Sequence, residues 1–241
     1  MSRLLISLFV ALMLFLGGCG GAGGGKDTDA TMRVFNSICD STSIEFVIDD
    51  DVFGTPLAYL GSTPNFSRLE AKEYDFRIRE AGSSNELWAI VATLAAERNY
   101  VLVAVGLENF AVGEEEKRAQ ILGIDVDRSI PNGNKARIFI VHNYNRAAGF
   151  DTPNIDFQTP GDNPLFKIEN IEPQNFEVTE IDADGVTPVT VEARRAGTEN
   201  VLASATTTPG AGKIYLVLVT GLEGGVGQQA PQIVFLEMQT K

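Results

Sequence analysis

Histidine occurs once in this 241-residue chain, as His142, tryptophan once, as Trp88, and cysteine twice, as Cys19 and Cys39. One histidine excludes a two-histidine zinc site and leaves room for at most one Ser-His-Asp or Cys-His arrangement. No Gly-x-Ser-x-Gly or His-Glu-x-x-His surrounds it. No nucleotide fingerprint joins a strand to a helix, and there is no Cys-x-x-Cys pair. Positive charge is also scarce, with 19 Lys and Arg against 32 Asp and Glu and a net charge of −13. That balance disfavours nucleic acid and anionic lipid surfaces as partners. The expectation is a protein that is not an enzyme, with no catalytic residue, no cofactor and no metal ligand.

The N-terminal end is the most informative stretch. Arg3 precedes a largely apolar run, Leu4–Leu16, followed by Leu16-Gly17-Gly18-Cys19. A short positive region, about a dozen apolar residues and small residues at a cleavage point describe a secretory signal. The run is short for a membrane-spanning helix, which needs about 20 residues. A cysteine directly after the small residues resembles the lipobox of bacterial lipoproteins. The resemblance implies a signal peptide over 1–18, cleavage before Cys19, and lipid attachment, such as diacylglyceryl and palmitate chains, on Cys19. It also implies a cell-envelope location. Gly20 stands where aspartate marks retention in the inner membrane of Gram-negative cells, which favours the outer membrane if there are two. With Cys19 so used, Cys39 has no intramolecular disulfide partner and reads as a small buried hydrophobe at a strand end.

Residues 19–30 are glycine-rich and read as a flexible tether. Beyond it the chain repeats itself. An offset of 115 positions carries Arg79, Ala81, Gly82, Tyr100 and Gly106 onto Arg194, Ala196, Gly197, Tyr215 and Gly221. Elsewhere the offset drifts: Arg33-Val34-Phe35 matches Arg137-Ile138-Phe139, and Ile44-Glu45-Phe46 matches Ile155-Asp156-Phe157. Pro56-Leu57 matches Pro164-Leu165, and Ala119–Leu122 matches Pro231–Val234. Two copies follow, over 31–128 and 135–241, joined by a turn-rich linker at 129–134.

Each copy reads as all-β. Tyr74, Phe76 and Ile78 alternate with charged neighbours, and Val189, Val191 and Ala193 do the same in the second copy. Short strands with turn signals every ten or so residues predict two tandem immunoglobulin-like β-sandwich domains. Residues 114–122 could begin with a helical turn, but Gly224-Gly225-Val226-Gly227 in the second copy argues for a loop in both. Tyr100–Val105 and Tyr215–Val219 are apolar throughout. A strand apolar on both sides is covered on both sides, either by long neighbouring side chains or by contact between the two copies.

The opening strand Arg137–His142, the Asp156-containing strand, the Ala-Gly turn, the 100–106 strand and the tandem order behind a lipoprotein signal resemble the domain of unknown function 4397 family. That resemblance implies an extracytoplasmic, immunoglobulin-like protein of no established activity. Ile38 stands where this alignment expects a second histidine. His142 therefore reads as a strand-end residue bonded to a loop. Trp88, replaced by Ala203 in the second copy, reads as packing on a sheet face, with carbohydrate stacking as the alternative. Asp182-Ala183-Asp184-Gly185 looks like part of a calcium loop without its later ligands. The expected function is a membrane-anchored module presenting two sandwiches for adhesion, binding or structure, with an envelope protein or glycan as partner. The alternative is a periplasmic ligand-binding or assembly factor.

Overall fold

The computed structural model describes residues 28–240; the signal, Cys19 and most of the tether lie outside them. The first copy contains β1 (Asp29–Asn36), β2 (Ser43–Ile48), β3 (Asp51–Val52), β4 (Leu57–Ala58), β5 (Ser67–Glu70), β6 (Glu73–Glu80), β7 (Glu86–Thr93), β8 (Asn99–Val105) and β9 (Gln120–Asp125). The second contains β10 (Lys135–Asn145), β11 (Ile155–Gln158), β12 (Lys167–Ile171), β13 (Phe176–Asp182), β14 (Val189–Arg195), β15 (Val201–Thr207), β16 (Ile214–Leu222) and β17 (Gln232–Met238).

Both copies are sandwiches with one strand plan. In the first, the sheet β5-β1-β8-β9 lies over β3-β2-β6-β7, with β4 also paired to β2. In the second, β13-β10-β16-β17 lies over β12-β11-β14-β15. The opening strand of each copy runs parallel to its penultimate strand, β1 to β8 and β10 to β16, while the other pairs are antiparallel. Local chemistry repeats with the topology. Glu45 faces Arg79 across β2 and β6, and Asp156 faces Arg194 at the same point of the second copy. The Tyr100 hydroxyl accepts from the Ala95 amide at 3.1 Å, and the Tyr215 hydroxyl from Gly210 at 3.0 Å.

The alternation along β8 explains its apolar run. Leu102 and Ala104 point into the first sandwich, with Tyr100 packed against its core. Val101, Val103 and Val105 point the other way. On β16, Tyr215, Val217 and Val219 fill the second sandwich, and Ile214, Leu216 and Leu218 point out of it. The outward residues of both strands meet, with Phe35, Phe139, Val141, Ile124 and Met238, in a third apolar layer. The molecule is thus four stacked sheets separated by three cores, and the middle core belongs to both copies. Burying each such side chain contributes about 1.5–3 kcal/mol. Contact between the copies, and not long covering side chains, is what keeps these strands dry.

Four details depart from the sequence alignment. Strand β1 begins at Asp29, and Ala30 is fully buried, so the folded chain starts earlier than residue 31. Phe35 pairs with Val103 and Val141 with Leu218, which aligns Arg33 with Phe139, not Arg137. His142 therefore corresponds to Asn36 and not to Ile38. A slip of two residues preserves strand facing, so alternation could not detect it. Leu57 and Ile171 are the buried residues opposite Ile44 and Ile155, whereas Leu165 is 88% exposed; Pro164-Leu165 is not the partner of Pro56-Leu57. Finally, both copies carry a single 3-10 turn, at Glu115–Lys117 and Gly227–Gln229. Two i to i+3 bonds close each turn, from Lys117 N to Glu114 O and Arg118 N to Glu115 O in the first and from Gln229 N to Val226 O and Ala230 N to Gly227 O in the second, a length the glycine-rich segment tolerates.

Candidate functional site: the loop end of the shared seam

Strands β1, β8, β10 and β16 all finish at the same end of the middle layer, and there the apolar seam turns polar. Asn143 donates through Nδ2 to Ser37 O at 2.6 Å and to Ser37 Oγ at 2.9 Å. Its Oδ1 accepts from the Gly106 amide at 2.6 Å. Thr220 Oγ1 donates to Ser37 O at 3.2 Å, Tyr59 OH lies 3.3 Å from Thr220 Oγ1, and Gln232 Nε2 donates to Tyr59 OH at 3.3 Å. Ser37, Asn143 and Thr220 are fully or almost fully buried, so each bond replaces water that cannot reach them.

Gly106 makes the approach possible. Its φ is +91°, and a Cβ would lie 2.4 Å from Arg118 O. Gly221 repeats the device at φ +112°, with Ala230 O at 2.5 Å. No side chain fits either place.

Three loops follow these strands and are bonded together. Lys117, 2% exposed, donates to Glu114 Oε1 at 2.8 Å and to Ala147 O at 3.3 Å. Glu114 Oε1 also accepts from the Gly149 amide at 2.6 Å, and the Lys117 ammonium holds the Glu114 carboxyl below its ordinary range. Arg146 pairs with Glu223 at 2.5 Å, and the Glu223 amide donates to Asn145 O at 2.8 Å. The loops at 106–119, 146–154 and 223–231 therefore form one tip. It carries half-exposed Phe150, stacked by Arg146 at 4.6 Å, fully exposed Val112 and largely exposed Val226. Between the first two of these loops and the turn at 172–174 lies a cleft of about 340 Å³ lined by residues of both copies, among them Glu116, Lys117, Thr152, Asn154 and Gln174.

His142 stands behind this tip, fully buried. Its Nε2 donates to Pro153 O at 2.9 Å and so fastens the 146–154 loop. With Nε2 carrying the proton, Nδ1 is the basic atom, and it has no partner among the described residues. Burial pushes the ring pKa down to about 4. Cys39 is buried and unpaired; burial, helped by the charge of Asp40, pushes its thiol up to about 12. Neither group is poised as base or nucleophile at neutral pH.

The other sequence candidates lie elsewhere. Trp88 is half-buried against the first core, with the Arg118 guanidinium 5.4 Å from its ring centre, so that cation covers the indole where a sugar would stack. Asp184 caps its own turn, accepting from Val186 N, Thr187 N and Thr187 Oγ1 at 2.8, 2.6 and 2.5 Å. Those donors draw its carboxyl down to about 2. Among the described residues, no three His, Cys, Asp or Glu side chains gather where they could hold a metal ion. Cys19 lies outside the described residues. Sequence reasoning missed Asn143, Ser37 and Lys117; the one signal was the matched pair Gly106 and Gly221.

No family model matches the chain, and no curated protein matches it. Solved structures with some likeness include the Bacillus anthracis TIE protein, at 10% identity and a TM-score of 0.24, over 80% of this chain and 33% of that one. Another is the family 26 carbohydrate-binding module of Eubacterium rectale Amy13K in complex with maltoheptaose, at 10% identity and a TM-score of 0.25, over 88% of this chain and 97% of that one. The chain spans about a third of the length of the first. Likenesses this loose carry no functional argument; the all-β fold rests on the sheets themselves.

Proposed function

We propose that this protein is a non-catalytic lipoprotein of the bacterial cell envelope that presents its loop tip to another envelope component. A lipid on Cys19 holds one end, and in a cell with two membranes Gly20 favours the outer one. One observation carries the reading. The first strand starts with Asp29 beside the Asn99 end of β8, and the three bonded loops follow the opposite end of the same sheet. Eight residues of β1 separate the two ends by about 26 Å at 3.3 Å per residue. A chain tethered through residue 19 therefore holds the tip away from its anchor.

The shared middle core supports the same role, because it makes two sandwiches one stiff body. The sealed histidine and thiol support a role without catalysis. Growth with labelled palmitate tests the anchor: label is expected on the wild-type protein and lost from Cys19→Ala. Protease treatment of intact cells tests display, with cleavage expected. Protection would favour the second reading, a periplasmic ligand-binding or assembly factor, for which the cleft between the copies is the supporting feature.

A further inference from the structure

Charge on an edge strand wards off a second strand. Edge strands β3, β5, β9, β12, β13 and β17 each hold at least one charged residue. Strand β7, the last of its sheet, is different: after Glu86 at its start the chain is uncharged through Ala96 and holds no proline. Along it Ile90 is 42% and Val91 60% exposed. The equivalent edge of the second copy, β15, is blunted. Ser204 and Thr206 stand where the first has Ala89 and Val91, their hydroxyls bonded to Val191 O and to Thr190. Pro209 stands for Leu94 and offers no amide.

The neighbours of β7 fix which of its backbone groups are open. The Leu94 amide donates to Lys72 O at 2.9 Å, and Asp75 O accepts from the Asp49 amide, on the far side of β6, at 2.8 Å. Antiparallel ladders alternate, so Ile90 and Ala92 bond to β6, while Ala89, Val91 and Thr93 turn amide and carbonyl outward. Beyond these the ladder is already occupied. Leu87 O accepts from Arg118 Nε at 3.2 Å, and the Ala95 amide donates to Tyr100 OH at 3.1 Å. The open ladder is therefore symmetric about Val91.

A ladder symmetric about one residue is complementary to itself run antiparallel. Val91 then faces Val91 of a second copy, Ala89 faces Thr93, and Ile90 is covered by Ala92. Glu86 falls opposite Ala96 and Glu97 opposite Asn85, so no like charges meet. In a chain of net charge −13, that neutrality favours a second copy here over contacts elsewhere on its surface. One such edge per chain closes a dimer and stops there.

We propose that two copies of this chain pair edge to edge through β7, antiparallel and centred on Val91, and that copies held by facing membranes are bridged this way. The pairing reverses one copy, so the two Asp29 ends point in opposite directions. The bridge rests on the Cys19 anchor; the pairing does not.

The test oxidises full-length single-cysteine-addition variants in detergent, with the wild type as baseline for Cys19 and Cys39. Val91→Cys is expected to form a disulfide dimer, since directly opposed Cα atoms lie about 5.5 Å apart, within disulfide range. Ala89→Cys and Thr93→Cys are each about 14 Å from themselves across the axis and should couple only when mixed. Equal coupling of all three alone would show random collision and overturn the pairing, as would a Val91→Cys protein that stays monomeric. Protection of the Val91 amide from hydrogen exchange by acetyl-Thr-Val-Thr-Val-Thr-amide, in a protein that stays monomeric, would overturn self-pairing in favour of a partner's strand. Lipidated wild type on phosphatidylcholine vesicles is expected to cluster them. Val91→Lys, at an exposed site where the melting temperature should hold, should leave them dispersed, and mixing its vesicles with Val91→Glu vesicles should restore clustering. Coupling in detergent with dispersed wild-type vesicles would overturn the bridge. Palmitate labelling reads the anchor separately from both.

Discussion

Asn143 reaches across the seam to Ser37, and the two residues occupy the same position in the two copies. Ser37 follows Asn36, the counterpart of His142, which precedes Asn143. Equivalent residues thus meet face to face, as in the isologous interface of a twofold dimer. The far end of the seam behaves alike, where Arg128 Nη2 approaches Thr240 O at 3.5 Å. The chain packs as a covalent pseudo-dimer.

Replacing Asn143 with alanine strips partners from Ser37 and from the Gly106 amide at once. A buried polar group left unsatisfied costs about 1–3 kcal/mol, so Asn143→Ala is expected to lose about 3 kcal/mol in urea unfolding. Ser37→Ala removes only a hydroxyl and should cost about 1 kcal/mol. The double variant should fall short of the sum, because the two side chains share one bond.

Gly106→Ala and Gly221→Ala place a Cβ against backbone carbonyls that cannot move aside. Each is expected to lower the melting temperature by several degrees or prevent folding. Gly82→Ala is the control: its φ is +73° with nothing within 4 Å of the added carbon, so only about 1 kcal/mol of left-handed strain applies.

His142 gives a pH step of defined sign. The folded pKa, about 4, lies below the ordinary 6.5. Above pH 6.5 both states are neutral and the histidine does not affect stability. As pH falls from 6.5 to 4 the unfolded chain takes up the proton and the folded one does not, so stability declines by up to about 3 kcal/mol. His142→Gln should be less stable at neutral pH through lost packing, yet its stability should be flatter between pH 6.5 and 4. Chemical denaturation of both proteins across that range reads the difference.

The middle core predicts that the copies depend on each other. Leu216→Ala or Phe139→Ala, both within that layer, should cost about 2–5 kcal/mol. Either copy expressed alone exposes an apolar sheet face and should melt lower than the pair or aggregate. Retention of full stability by both halves would contradict a shared core.

Cys39 should resist a thiol reagent such as dithionitrobenzoate in the native protein at pH 8 and react at once in denaturant, since only the thiolate attacks and burial suppresses it.

Alternation and turn residues determined the all-β character and most strands, because a strand's facing is written in every second residue. The matches of Gly106 with Gly221 and Tyr100 with Tyr215 survived because backbone geometry and a hydroxyl bond hold those residues at fixed points. The doubly apolar runs even announced that β8 and β16 were covered on both sides. Three things were decided only in three dimensions. Whether the cover was side chain or a second sheet depended on packing between segments over a hundred residues apart. The alignment of β1 with β10 slipped by two because hydrophobic pattern is blind to even shifts, and only hydrogen-bond register removes that ambiguity. The tip arose because four strands end together, bringing Lys117, Glu114, Ala147 and Gly149 into contact across two copies. Sequence records the facing of a residue locally; which residues meet at the end of a stack depends on how the sheets lie on one another.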